Sequence, residues 1–133
     1  MADVSAPPDE EVDVPADGLR RRYVESLDTL QRVSDHLVGA LQEARAGREV
    51  ARQLVVSGRP LGDLEHVLEP EPLRTSLADA LADFERSRHE AQRLLFLLLQ
   101  SEGQTLADIG RTYGISRQLV SRLVNEPDPR QAG

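Results

Sequence analysis

The chain has 133 residues and a mass of 14.7 kDa, enough for one domain or one small domain with an extended element. Cys 0 excludes a disulfide framework, zinc fingers and thiol catalysis, and 3% aromatic residues excludes a carbohydrate or aromatic-cage binder by bulk content. Lys+Arg 16 against Asp+Glu 23 gives a net charge of -7, which argues against a protein that coats phosphates with its whole surface.

Every basic residue is arginine, as the codon bias of a high-GC bacterial genome produces. The longest apolar run, Leu94 to Leu99, is far short of the roughly 20 residues a membrane span needs. The N-terminus lacks the basic-then-apolar order of a secretion signal. The expectation is a cytoplasmic protein with no membrane partner.

Residues 1–17 carry Asp3, Asp9, Glu10, Glu11, Asp13 and Asp17 with no basic residue, so six of the seven net negative charges belong to this segment. With Pro7, Pro8 and Pro15 and few bulky apolar residues, it reads as a disordered acidic tail. From Gly18 the pattern changes. Tyr23, Leu27, Leu30, Ser34, Leu37, Leu41 and Ala44 alternate at spacings of four and three, the seam of a long amphipathic helix. Gly39 and Gly47 weaken it, and a kink or end is expected near Gly47. Ser57-Gly58-Arg59-Pro60 is a firm stop.

A connector punctuated by Pro60, Gly62, Pro70 and Pro72 follows, in which Leu61, Leu64, Val67 and Leu68 predict a short turn packed on the core. A second seam runs through Leu73, Leu77, Ala80, Phe84, Ser87, Ala91, Leu94 and Leu98. It predicts a helix from Leu73 to Ser101, roughly 29 residues or about 43 Å. Its last turns are apolar all round, so a second face needs a cover, and the segment that follows is the candidate.

Thr105 and Asp108 form a predicted capping box, and a short helix runs on to Tyr113. Gly114 turns the chain, Ser116 caps a second short helix, and Pro127 ends it beyond Asn125. Two short helices around a glycine-containing turn make a helix-turn-helix. Over Leu106 to Asn125, with Glu90 to Ser101 as a looser support, the chain resembles the bacterial helix-turn-helix family, in particular transposon resolvases and the promoter-reading region 4 of sigma factors. Gly110 stands where the family wants a small residue at the crossing. Alanine is commoner there, and glycine is expected to weaken the helix without obstructing the crossing. Gly114 matches the turn, and Ile109, Tyr113, Ile115, Val120 and Leu123 match the inner faces.

The resemblance implies that the second helix reads the major groove with its N-terminal residues. Its outward positions are Ser116, Arg117, Gln118, Ser121, Arg122 and Asn125, all hydrogen-bonding and none acidic. Arginine forks onto guanine and glutamine pairs with adenine, so Arg117, Gln118 and Ser121 are the expected base readers. Ser116, Arg122 and Asn125, with Arg111 on the first helix, are expected to hold phosphates or flank them. A β-hairpin wing does not fit between Asn125 and the chain's last residue with Pro127 and Pro129 intervening.

The expected fold is therefore all-α: long amphipathic helices, as an antiparallel hairpin or a dimeric coiled-coil-like bundle, then a C-terminal helix-turn-helix without a wing. The expected domains are the tail 1–17, a helical bundle or dimerisation region 18–101, the helix-turn-helix 102–126 supported by 90–101, and a second disordered tail 127–133. One such module buries little DNA surface, so a homodimer on two half-sites is expected. The expected function is sequence-specific binding of double-stranded DNA, as a transcriptional regulator or nucleoid-associated factor. The alternative is a helical adaptor that docks on a protein partner such as RNA polymerase. His36, His66 and His89 show no zinc-ligand spacing, and there is no phosphate-cradling loop or nucleophile motif. No enzyme activity, catalytic residue, cofactor or metal is expected.

Overall fold

The computed structural model describes the backbone of residues 6–64 and 71–128 and the side chains of 18–62, 64 and 71–128. Among the described residues the fold is all-α, with four helices. They are α1 (Ala6–Val56), α2 (Glu71–Ser101), α3 (Leu106–Tyr113) and α4 (Arg117–Val124). A single 3-10 turn, Leu61–Leu64, lies between the long helices. Its Leu64 is buried and its Leu61 exposed, while Val67 and Leu68 lie outside the described residues. No described helix is long and apolar enough to cross a membrane.

The helical backbone of α1 starts at Ala6, inside the segment read from composition as a tail. Pro7 and Pro8 fall in its first turn, where a helix tolerates proline because those amides have no intrahelical partner. Residues 1–5, the side chains of 6–17 and residues 129–133 lie outside the described residues.

The chain divides into two compact units, each taking a piece of both long helices: Asp28–Arg88, and Met1–Leu27 with His89–Gly133. This differs from a bundle 18–101 followed by a separate motif. The short helices pack on the end of α2, so that end belongs with them.

In the Asp28–Arg88 unit the buried or half-buried line of α1 is Val33, Leu37, Ala40, Ala44 and Gly47. The predicted seam is thus displaced. Leu41 is 43% exposed and Ala40 is buried in its place, and Leu27 is likewise exposed. The reason is approach distance: alanine and glycine let the opposite helix come close, whereas a leucine holds it off. A β-carbon at Gly47 would lie 3.2 Å from Leu73 Cδ2, so this glycine admits the neighbouring helix, and α1 is helical through it instead of ending there. The seam of α2 is as predicted, with Ala80 buried and Leu73, Leu77, Phe84 and Ser87 half-buried. Replacing Ala44 by leucine should overpack this line and lower unfolding free energy by roughly 1–3 kcal/mol. The check is a reduced urea midpoint at unchanged denaturant slope.

Candidate nucleic-acid interface

The end of α2 supplies the platform for the two short helices. Phe96, Ile109, Val120 and Leu123 form a buried cluster, with Leu95, Leu99, Leu106, Ile115, Leu119 and Val124 packed against it. The all-round apolar character of Leu94 to Leu99 is thereby explained: Leu94, Phe96 and Leu98 are buried, and α3 and α4 are the cover. Gly103, at φ 101, ends α2, and the Gln104 amide closes back on the Leu99 carbonyl at 3.1 Å.

The start of α3 is a complete capping box. Thr105 Oγ1 accepts from the Asp108 amide at 3.0 Å, and the Thr105 amide donates to Asp108 Oδ2 at 3.1 Å. These bonds, backbone first, hold the Asp108 carboxyl below the usual carboxylate range, with Arg111 adding to the effect. The turn is fixed by two glycines. Gly114 adopts the left-handed conformation, φ 69 and ψ 32, and the amides of Gly114 and Ile115 both close on the Gly110 carbonyl. A β-carbon at Gly110 would stand 2.7 Å from the Ile115 carbonyl oxygen. Glycine at this crossing is therefore a requirement of the turn and not merely a weakened alanine, since backbone on backbone leaves nothing flexible to give way.

Ser116 caps α4, its hydroxyl accepting from the Leu119 amide at 3.1 Å. Val120 and Leu123 point into the cluster, which turns Arg117, Gln118 and Arg122 outward, all exposed. Among the described residues none of these three side chains has a hydrogen bond or ion pair. The other expected contacts are partly committed. Arg111 is exposed and paired with Asp108. Ser121 is half-buried, and the Asn125 side-chain amide donates to its carbonyl at 2.8 Å. Tyr113 stands at 42% exposure with its ring 5.1 Å from that of Phe96, so it covers the edge of the core without filling it.

No family model, curated protein or solved structure matches this chain.

A charged cluster ties the residues after α4 to the long helices. Arg93 is only 4% exposed, and Glu90 accepts its fork at 2.8 and 2.9 Å. That pairing raises its already high pKa against the opposing effect of burial. Asp128 lies 3.0 Å from Arg22 and 4.0 Å from Arg93, and His89 Nε2 is 2.8 Å from Glu126. Nε and Nη2 of Arg22 are buried without a well-aligned hydrogen bond. Asp128 is thus anchored although sequence places it in a tail, and His89 has a partner the sequence does not reveal. The pairs joining α2 to residues 126–128 bridge more than thirty positions, and no short-range pattern marks them. Arg93 alone carries a signal, as a charge followed by six apolar residues with Glu90 three before it. Among the described residues no group of His, Cys, Asp or Glu is placed to hold a metal ion.

Two outcomes test this description. Gly110→Ala should lower thermal stability, the clash costing roughly 1–3 kcal/mol and outweighing the better helix propensity of alanine, about 1 kcal/mol. Because the Asp108 carboxyl is lowered on folding, its contribution is complete above the ordinary carboxylate range and disappears as pH falls through the depressed folded value. An acid titration followed by helicity should show that step, and Asp108→Asn should lack it.

Proposed function

We propose that this chain is a sequence-specific double-stranded-DNA-binding protein, a bacterial transcriptional regulator or nucleoid-associated factor that works as a homodimer. The observation that carries the reading is the outward face of α4: Arg117, Gln118 and Arg122 are exposed and uncommitted while the opposite face is locked into the core. From Arg111 to Asn125 there is no acidic residue to repel a phosphate. The acids nearest in sequence are already engaged, Asp108 with Arg111 and Glu126 with His89.

In this reading the helix-turn-helix lays α4 in the major groove. Arg117 forks onto guanine O6 and N7, and Gln118 pairs with an adenine edge. Arg122 holds the backbone, and Arg111 joins it by sharing its charge between Asp108 and a phosphate. Ser121 and Asn125, bonded to each other, set the end of the helix more than they read bases. Ser116 acts chiefly through its cap. The fixed crossing at Gly110 gives the face a single orientation, as a site that reads base edges requires.

The experiment is a binding titration on a site selected from random duplex DNA, repeated at several salt concentrations. Affinity should fall about 10³-fold between 50 and 200 mM salt if about six phosphates are neutralised per dimer. Arg117→Ala should cost roughly 1–3 kcal/mol on the selected site and flatten discrimination between sites, whereas Arg122→Ala should weaken all sequences alike. Unchanged DNA binding by the Arg117→Ala, Arg122→Ala double variant would remove α4 as the reader. Salt-insensitive docking on a protein would support the adaptor instead.

A further inference from the structure

The Asp28–Arg88 unit exposes three large apolar residues on one flank. Val38 is 52% exposed, Leu41 43% and Leu81 46%. Helical spacing puts them together. Val38 and Leu41 lie to one side of the buried line through Ala40 and Ala44, and His36 lies to the other. His36 shares an open groove of about 630 Å³ with Ser76 and Asp79 of α2, which marks that flank. On α2, Leu81 falls on the side of the buried line away from Ser76 and Asp79, and therefore on the flank of Val38 and Leu41.

Charge along this flank is ordered. Before Val38 on α1 come the exposed acids Asp28 and Asp35. After Leu41 the same stripe continues at spacings of four and three into Arg45 and Arg48, with Arg74 one heptad before Leu81 on α2. Among the described residues these three arginines have no ion-pair partner. The stripe thus reads acidic, apolar, basic.

That order selects its occupant. We propose that this flank is the interface with a second copy of the chain, formed about a two-fold axis with the α1 helices antiparallel. Such an axis sets Val38 against the partner's Leu41, and Leu41 against the partner's Val38. It carries Arg45 and Arg48 of each chain over the acidic end of the other. A parallel arrangement would bring like charges together. The interface rests on the reading of this protein as one that works in two copies, and it assigns the surface that makes the pair.

The test is sedimentation equilibrium of the full chain without DNA, with helicity measured alongside. The unsubstituted protein should have twice the chain mass. Val38→Asp with Leu41→Asp should give the single-chain mass at unchanged helicity, both positions being exposed. Arg45→Asp with Arg48→Asp should raise the dissociation constant at least tenfold, and adding Asp28→Arg and Asp35→Arg to the same chain should restore it, because the two-fold exchanges the ends. A single-chain mass for the unsubstituted protein overturns the proposal, as does a two-chain mass indifferent to the charge substitutions. Failure here is separable from failure of the DNA reading. A pair that ignores DNA keeps the interface, and single chains that select DNA through Arg117 keep the function.

Discussion

The surface presented by α4 depends on the apolar cluster where the last turns of α2 meet the two short helices. An eight-residue helix has little stability of its own, because nucleation is costly and few backbone bonds repay it. Val120 and Leu123 supply the missing free energy by burial against Phe96 and Ile109. Burial on one side also fixes rotation about the helix axis, which sends Arg117, Gln118 and Arg122 outward. The exposed face is thus a consequence of packing on the hidden one.

Around that cluster, backbone devices set the angle between the short helices. The capping box at Thr105, the left-handed Gly114 and the bare α-carbon of Gly110 leave the chain one path from α3 to α4. The crossing is closed by backbone atoms on both sides, and a two-helix unit with this constraint moves as a rigid piece. The hydroxyl of Ser116 then occupies an amide of α4 that the helix could not satisfy itself.

The second fastening is electrostatic. Arg93, sunk among apolar neighbours, keeps its charge because Glu90 forks onto it, and Asp128 adds a further negative charge beside it and Arg22. A buried pair of this kind contributes modest net stability, yet removal of one partner strands the other without solvent. The cluster therefore acts as a positional lock on the residues that follow α4, complementing the directionless grip of the apolar core.

Much of this was legible in the sequence, for local reasons. Spacing of three and four along Leu73 to Leu98 made α2 and its seam readable, because the period of a helix is a property of consecutive residues. The box at Thr105 and Asp108, the stop at Ser57-Gly58 and the turn at Gly114 were readable for the same reason: each satisfies or interrupts backbone bonds within a few positions. The apolar run Leu94 to Leu99 even announced that its second face needed a cover. Other features required the neighbours to be in place. Which of Ala40 and Leu41 faces inward depends on how near the opposite helix comes, and that distance is set by Ala44, Gly47 and the side chains across from them. Only the folded turn showed that Gly110 lies under the Ile115 carbonyl and tolerates no side chain. The pairings of His89 with Glu126 and of Arg22 with Asp128 join residues far apart along the chain, where charge has no period to betray its partner. Local order wrote the helices and their ends; close approach between distant segments decided which side chains each helix hides.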